Sequence, residues 1–385
     1  MQGMDFQAHN REVEEVWSAY NAGAPIRVPM ILGVNPRYYI FSSWLNPRGI
    51  TFEEYSKAPN LMMETQLEFH NYMRHHLLQD AEMGLPKDAW PGVWVDLQNY
   101  YEAAWFGASV RYHGGQVPDT EPILTDDRKN MLFDSGIPDP LHGGIMQKNL
   151  DFWEYMKESI STRTYKGLPI KTASAGGLGT DGPFTVAANL RGATEICLDL
   201  YEAPDYVIRL LNFITEATII RIKAWRKLAG ADEHQESYGF ADDSIQLIST
   251  DAYKEFVLPF HKRLVEELGG RGPHAIHLCG DATRHFKTIR DELNVKSFDT
   301  GFPVDFGWLR EELGPDVNIN GGPSVQFLAQ STPDQVKEEV RRILSTGIME
   351  GGKFVLREGN NLPPNITEEN VAAMYSAVRE YGRYA

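Results

Sequence analysis

Segments with strand-like and helix-like patterns alternate through the second half of the chain, and this order limits the fold more than any other feature of the sequence. The strand-like runs are 170–175, 236–240, 275–279 and 354–356, and the helix-like runs include 204–229, 250–268 and 367–381. Strands that alternate with helices predict parallel βαβ units, in which the strands share one sheet. Polar residues follow several of these strands, as they do at the catalytic end of a (β/α)8 barrel.

We therefore predict an α/β fold of the TIM (β/α)8 barrel type. The chain has 385 residues, and barrels of this type reach about 400 residues when they carry insertions. We expect one barrel domain over 1–385, with a helical extension at 1–24 and a loop-rich insertion at about 118–169. A doubly wound open sheet is the alternative, but its glycine fingerprint at 177–182 lacks the strand that should precede the later acidic residue.

The composition argues against several classes of partner. Acidic residues number 53 against 37 basic ones, so the formal net charge is −16, which disfavours binding to nucleic acid or to anionic membranes. No apolar run approaches the roughly 20 residues that a membrane helix needs, and residues 1–6 lack a signal-peptide pattern. With only two cysteines, a disulfide scaffold is excluded, and we expect a cytoplasmic protein.

The run His-Ala-Ile-His-Leu-Cys-Gly at 274–280 contains a candidate metal site. If 275–279 is a strand, His277 and Cys279 point to the same face, because side chains alternate with period two. An imidazole beside a thiolate suits zinc, which needs at least one more protein ligand. The alternative is a buried strand histidine next to a core cysteine, and His274, on the opposite face, is expected to be structural.

Several other short motifs accompany this run in a particular order. They are Gly182-Pro183-Phe184-Thr185, Ala241-Asp242-Asp243, His277-Leu278-Cys279-Gly280, Asn320-Gly321-Gly322-Pro323 and the segment 359–365. In order and spacing they resemble the uroporphyrinogen decarboxylase superfamily and, within it, the corrinoid-dependent methyltransferase branch. The resemblance covers most of the chain and is weaker before residue 169.

The resemblance implies a TIM barrel that holds zinc through a His-x-Cys pair and a third ligand, commonly a cysteine. Asn360 stands where that cysteine is found, so Glu358 becomes the candidate oxygen ligand beside His277 and Cys279. The alternative for Glu358 is a salt bridge with Arg357. The chain has no Asp-x-His-x-x-Gly corrinoid motif, so cobalamin is expected to arrive on a separate corrinoid protein.

Polar and aromatic residues near predicted strand ends supply the other site candidates. We expect catalytic roles for Asp242 and Asp299; the alternatives are that Asp242 caps the following segment and that Asp299 orients a metal ligand or ends its strand. Asn35, Tyr38 and Trp44 are the candidate substrate-binding residues, because they lie in an aromatic-rich N-terminal stretch.

Together these features predict a zinc-dependent methyltransferase that moves a methyl group between a small donor and a protein-bound corrinoid. The aromatic residues favour an aryl methyl ether as the donor, which would make the reaction an O-demethylation. One alternative is a decarboxylase like the uroporphyrinogen enzymes, although Arg37 among aromatics and a charge of −16 suit a polycarboxylate poorly. The other alternative is an accessory barrel that has lost its chemistry.

Overall fold

The computed structural model describes residues 4–384. Its main sheet has five parallel strands whose spatial order follows their order in the chain. These strands are Gly239–Ala241, His274–Leu278, Val295–Thr300, Asn318–Gly321 and Phe354–Leu356. Helices occupy the connections between neighbouring strands, so the α/β architecture with parallel crossovers is confirmed.

Shorter pairings extend this sheet at both of its edges. Met30 forms a parallel bridge with Leu356, and Asp181 forms one with Ala241. The strands Val93–Trp94 and Ala173–Ser174 pair in parallel with each other. Antiparallel pairs join Val110–Arg111 to Asp119–Thr120 and Thr164–Tyr165 to Leu168–Pro169. The early part of the chain thus contributes strand positions that are only one or two residues long.

The helices cover the sheet with apolar faces. Those of eight or more residues are Phe6–Asn21, Pro59–His76, Ile145–Thr162, Pro183–Arg191, Ala193–Glu202, Pro204–Leu228, Leu258–Gly269, Thr283–Leu293, Phe306–Leu313, Pro333–Ile343 and Glu368–Tyr381. The longest, Pro204–Leu228, buries Val207, Leu210, Leu211 and Ile214, whose spacing of three and four residues forms one stripe. Within residues 4–384, none of the helices has the length and apolarity that crossing a bilayer requires.

Two segments singled out from the sequence have definite structure. In the segment 1–24, the helix Phe6–Asn21 begins after Asp5, whose side chain accepts hydrogen bonds from the backbone of the first turn; residues 1–3 lie outside the described part. The segment 118–169 contains the 18-residue helix Ile145–Thr162, which its Pro, Gly and Asp content did not indicate. Its status as an insertion stays a prediction.

Strand register brings the polar side chains of His277, Asp299 and Asn320 to one level of the sheet. Ala241 is paired with His277, His277 with Asp299, and Asp299 with Asn320. All four lie towards the carboxyl ends of parallel strands, where side chains of neighbouring strands meet at the same edge. The candidate site is therefore assembled at this edge.

Candidate metal centre

His277, Cys279 and Asp243 form the group of potential metal ligands. Their ligand atoms all lie within 4.8 Å of one another, and His277 Nε2 is 3.0 Å from Cys279 Sγ. The backbone N–H of Cys279 donates to Asp243 Oδ1 at 2.7 Å, which fixes the carboxylate beside the thiol. One nitrogen, one sulfur and one oxygen ligand fit zinc, and three protein ligands leave a fourth position for substrate, as in catalytic zinc sites.

Asp299 orients the imidazole of His277. Its Oδ2 lies 2.7 Å from His277 Nδ1 and also accepts a hydrogen bond from Arg357 Nη1 at 2.7 Å. A proton held on Nδ1 leaves Nε2 directed at Cys279, which is the arrangement that a metal-binding histidine needs. Asp299 therefore belongs to the site as the residue that contacts the candidate metal ligand His277. It does so at Nδ1, the ring nitrogen that faces away from Cys279.

The pKa values describe the same group without a metal. Burial lowers the pKa of His277, but its hydrogen bonds to Asp299 and Cys279 outweigh that effect and raise the pKa to about 10. Burial raises the pKa of the Cys279 thiol, and His277 partly opposes the rise. His277 thus holds a proton where a cation would sit, and metal binding would have to release it.

Glu358 lies outside this three-residue group. Its carboxyl is fully buried, its Oε1 accepts a hydrogen bond from the backbone N–H of Gly33 at 2.7 Å, and Arg357 Nη2 is 3.7 Å away. Its Oε2 has no hydrogen-bond partner among the described residues. Burial raises the pKa of Glu358 to about 7. The structure thus places Asp243, rather than Glu358, next to His277 and Cys279, and ligation by Glu358 stays a prediction.

Asp242 has a different environment from its neighbour. It is fully buried and accepts hydrogen bonds from the backbone N–H groups of Phe184 and Thr185, at 3.2 and 2.7 Å. The Thr185 hydroxyl donates at 2.6 Å, and His261 Nε2 lies 2.7 Å from the carboxylate. Both oxygens are thereby engaged at the start of the helix Pro183–Arg191. Asp242 thus contacts the first turn of the earlier helix Pro183–Arg191 and does not cap the segment that follows it, where its side chain makes no capping hydrogen bond. A catalytic role for it stays a prediction.

Adjacency explains why the sequence did not single out Asp243. The strand Gly239–Ala241 ends before the two aspartates, and a tight helical turn starts at Asp243. Successive side chains then point in different directions, one towards the helix Pro183–Arg191 and the other towards Cys279. The pair Asp242-Asp243 was the signal in the sequence for a carboxylate at this site, but nothing in the sequence distinguishes one aspartate from the other.

The three candidate substrate-binding residues do not converge. Asn35 caps the short helix Pro36–Ile40 and lines a cavity of about 320 Å³. Tyr38 is buried, and its hydroxyl donates to the Ile366 carbonyl at 3.1 Å. Trp44 is 58% exposed and lines a separate cavity of about 630 Å³. Of the three candidates, Asn35 lines the cavity that shares Gly179 with a cavity lined by His277.

Arg37, which sequence reasoning did not select, lines the same cavity as Asn35, together with Trp94 and Tyr101. Its Nε donates to Gln98 Oε1 at 2.8 Å, and its Nη2 donates to Asn99 at 3.2 Å. Burial lowers the pKa of Arg37, while the charges of Asp96, Cys279 and Asp181 oppose this. A third cavity, of about 400 Å³, is lined by His277 and Asp299. It shares Gly179 with the cavity that Asn35 and Arg37 line.

Parallel strands that alternate with helices and gather polar side chains at their carboxyl ends are the arrangement of (β/α)8 barrels. The family model for uroporphyrinogen decarboxylase (URO-D) matches residues 96–381, and the chain belongs to that family. The fold is accordingly a TIM barrel, as predicted. A solved methyltransferase from Methanosarcina mazei shares this fold, with a TM-score of 0.65 and 19% identity over 96% of this chain and 98% of that one.

Curated relatives include both methyltransferases and decarboxylases. A methylated-thiol–coenzyme M methyltransferase of Methanosarcina mazei is 30% identical over 174 residues, which cover 43% of each chain. A methylcobamide:CoM methyltransferase of Methanosarcina acetivorans is 25% identical over 43% of this chain and 48% of its own. A uroporphyrinogen decarboxylase of Myxococcus xanthus is 30% identical over 64% and 67%. The chain thus spans less than half the length of either of these two methyltransferases, whose similarity is consistent with the predicted methyltransferase branch.

Proposed function

We propose that the protein is a zinc-dependent methyltransferase, which moves a methyl group between a small donor and a corrinoid carried by a separate protein. The observation that carries this proposal is the Asp243–His277–Cys279 group, whose three ligand atoms lie within 4.8 Å of one another. The methyltransferases among the relatives support the same reaction class. An imidazole, a thiol and a carboxylate held together are ligand types that suit zinc.

The chain's own residues hold and shape the site in this proposal. Zinc, when bound, supplies a Lewis acid that stabilises negative charge on the heteroatom from which methyl departs or to which it is added. Asp299 keeps the proton of His277 on Nδ1, so that Nε2 serves as ligand. Arg357 holds Asp299 in position from the other side, at 2.7 Å. The Cys279 backbone N–H orients Asp243.

An aryl methyl ether is our proposal for the donor. The cavity of about 320 Å³ that Asn35 and Arg37 line has the rings of Trp94 and Tyr101 in its wall, and it meets the cavity of His277 at Gly179. An aromatic ring between these side chains would direct its ether oxygen towards the metal centre. Arg37 would attract an acidic substituent on the ring. Tyr38, with its hydroxyl bonded to Ile366, would support this wall from within the core.

Metal content tests the proposal directly. We expect close to one zinc per chain in the purified protein by plasma mass spectrometry, a loss of zinc in His277→Ala, and a strong reduction in Asp243→Asn. Glu358→Gln is the matched control, because it alters a nearby buried carboxyl that lies outside the group. Zinc lost in Glu358→Gln but retained in Asp243→Asn would make Glu358 the third ligand. A wild-type protein without zinc would contradict the metal mechanism and favour an accessory barrel.

Activity is tested with methoxyarenes and free cob(I)alamin, by following the absorbance of methylcobalamin. Formation of methylcobalamin in the wild type, and none in His277→Ala, is the expected result. Methylated thiols are the second set of donors to be tried, since a relative is named for that substrate class. If neither class reacts while zinc is present, the aryl ether donor is wrong and the metal centre stands.

Decarboxylation is the second candidate, because a uroporphyrinogen decarboxylase is 30% identical to the chain over 64% of its length. Of the residues that line the cavity of Asn35, Arg37 is the single basic one, which is few for a substrate with many carboxylates. We expect no coproporphyrinogen after incubation with uroporphyrinogen. Its formation at an enzymatic rate would replace the methyltransferase proposal.

A further inference from the structure

Two of the short motifs found in the sequence contact each other in the structure. They are Gly182-Pro183-Phe184-Thr185 and Ala241-Asp242-Asp243, and a parallel bridge brings the two segments side by side. A side chain at position 182 would collide with the Asp242 carboxyl, so Gly182 allows the segments to approach closely. This contact concerns the candidate metal centre, because Asp243 directly follows the residue that makes it.

Asp242 is the buried anchor of the contact. One of its carboxyl oxygens accepts hydrogen bonds from the N–H and the hydroxyl of Thr185, and the other lies 2.7 Å from His261 Nε2. His261 is itself fully buried, and its Nδ1 is 3.1 Å from the Tyr253 hydroxyl. The Asp242 carboxyl therefore has partners on both sides. It cannot turn without leaving buried polar groups unpaired, which is costly.

Thr185 holds the chain on both sides of Asp243. Its hydroxyl donates to Asp242 Oδ1 at 2.6 Å and accepts a hydrogen bond from the backbone N–H of Ser244 at 2.9 Å. One hydroxyl thus binds the residue before Asp243 and the residue after it. The N–H groups in the first turn of a helix have no partner within that helix, and Thr185 supplies one for Ser244 in the short turn 243–247.

Asp243 needs such support more than the other two candidate ligands do. His277 lies within the parallel sheet, and Cys279 directly follows the same strand. Asp243 lies two residues past the end of its own strand, where no ladder of backbone hydrogen bonds fixes its direction. Its half-exposed carboxylate accepts a hydrogen bond from the Cys279 backbone at 2.7 Å. The direction of Asp243 therefore depends on how the residues on either side of it are held.

We propose that Thr185 and Asp242 are positioning residues for the third metal ligand. They hold the chain so that the Asp243 carboxylate points at a metal ion bound by His277 and Cys279, and neither of them contacts the metal. This role rests on the proposed function, since it requires Asp243 to be a zinc ligand. It gives the helix Pro183–Arg191, which contributes no residue to the ligand group, a part in building the site through its first turn.

Thr185→Val tests this role, because valine has nearly the shape of threonine but lacks the hydroxyl that joins Asp242 to Ser244. Zinc affinity, measured in competition with a chromophoric chelator, is expected to fall about ten- to hundredfold. Thr185→Ser keeps the hydroxyl and is expected to bind zinc nearly as tightly as the wild type. Asp242→Asn is the second variant, since it places an amide donor where Asp242 accepts hydrogen bonds, and it is expected to lose zinc affinity in the same way.

Thr215→Val is the matched control. Thr215 is also a buried threonine on a helix, but its hydroxyl donates to the Leu211 carbonyl of the same helix at 2.7 Å. It is expected to leave zinc affinity unchanged. Circular dichroism and urea denaturation establish that each variant is folded, because lower stability alone does not change the affinity of the folded protein for metal.

Cobalt(II) in place of zinc reports which ligand is lost. The thiolate-to-cobalt absorption band is expected to remain in Thr185→Val, because Cys279 still binds. The visible ligand-field bands are expected to change, because the Asp243 oxygen no longer reaches the metal. A variant that was only less stable would keep both sets of bands when folded.

The positioning role and the proposed function fail in different ways. A wild type that binds neither zinc nor cobalt would contradict both. A wild type that binds zinc, with Thr185→Val and Asp242→Asn equal to it in affinity and in cobalt spectrum, would overturn the positioning role and leave the metal centre in place. Equal losses of affinity in Thr185→Val and Thr185→Ser, or in Thr185→Val and Thr215→Val, would also overturn it, because the Thr185 hydroxyl would then have no particular effect on the metal.

Discussion

Two regions of the barrel are built in different ways. In the strand half, residues 239–358, five parallel strands fix His277 and Asp299 side by side through register alone. In the loop half, residues 26–182, the paired strands are two residues long, and buried polar contacts hold the chain. Arg27 pairs there with Asp80 at 2.6 Å, and Glu102 accepts a hydrogen bond from Arg221 at 2.7 Å.

The difference assigns separate tasks to the two halves. The candidate ligands all come from the strand half, where backbone pairing holds them within a small distance of one another. The cavity of Asn35 and Arg37, by contrast, takes all of its lining residues from the loop half. Loops on a rigid scaffold tolerate sequence change, so the lining of this cavity can vary while the candidate metal ligands stay the same.

The largest effect is expected where the loop half depends on a buried charge. Arg221 is fully buried, and Glu102 also accepts hydrogen bonds from the Thr180 hydroxyl and the Asp181 backbone. Arg221→Met leaves the Glu102 carboxylate without its cation. We expect the free energy of unfolding to fall by about 3–5 kcal/mol, measured by urea denaturation.

Lys223→Met is the control on the same helix. Lys223 is 2.6 Å from Glu267, but this pair lies at the surface, so we expect a change below about 1 kcal/mol. Equal effects of the two substitutions would contradict the view that buried ion pairs hold the loop half. The comparison between the halves would then have to rest on strand length alone.

The second effect concerns the contact between the halves, where Glu358 of the strand half meets the backbone of Gly33. Burial raises the pKa of Glu358 from 4.5 to about 7, so folding favours its protonated form. Its contribution to stability is therefore complete below about pH 4.5 and is lost as the pH rises through about 7. The loss amounts to about 3 kcal/mol.

Urea denaturation of chelator-treated protein between pH 5 and pH 8 measures this contribution. Glu358→Gln keeps an oxygen for the Gly33 N–H but cannot ionise, so it should lack this part of the pH dependence. The wild type should lose stability relative to the variant as the pH rises. Parallel pH profiles of the two proteins would show that Glu358 titrates as an ordinary carboxyl, and the contact would then be more solvated than its burial indicates.

The sequence was sufficient for the features that depend on periodicity. Alternation of strands and helices predicted the barrel, and period-two alternation predicted that His277 and Cys279 share a face, as the 3.0 Å contact shows. The choice between Asp242 and Asp243 could not be made in this way. It depends on how the chain turns after Ala241, and on the N–H groups of Phe184 and Thr185, about 60 positions earlier, that engage Asp242.

Contacts between segments that are distant in the sequence explain why other features of the site could not be predicted. Glu358 was a reasonable ligand candidate by position, but the carboxyl contacts Gly33, 325 residues away in sequence. Tyr38 and Trp44 are six residues apart and equally aromatic, yet one is buried and the other is 58% exposed. Local patterns do not encode such differences, because burial is decided by which segments pack on each side.

The smallest effect tests how firmly the strand half presents its ligands. Asp299→Asn should keep the fold but weaken the hold on the Nδ1 proton of His277, since a neutral amide replaces the carboxylate that contacts it at 2.7 Å. We expect zinc affinity to fall about tenfold, or about 1.4 kcal/mol, in competition with a chromophoric chelator. Ser297→Ala, two residues earlier on the same face of the strand, should leave zinc affinity unchanged. If Asp299→Asn bound zinc as tightly as the wild type, strand register alone would be enough to orient His277.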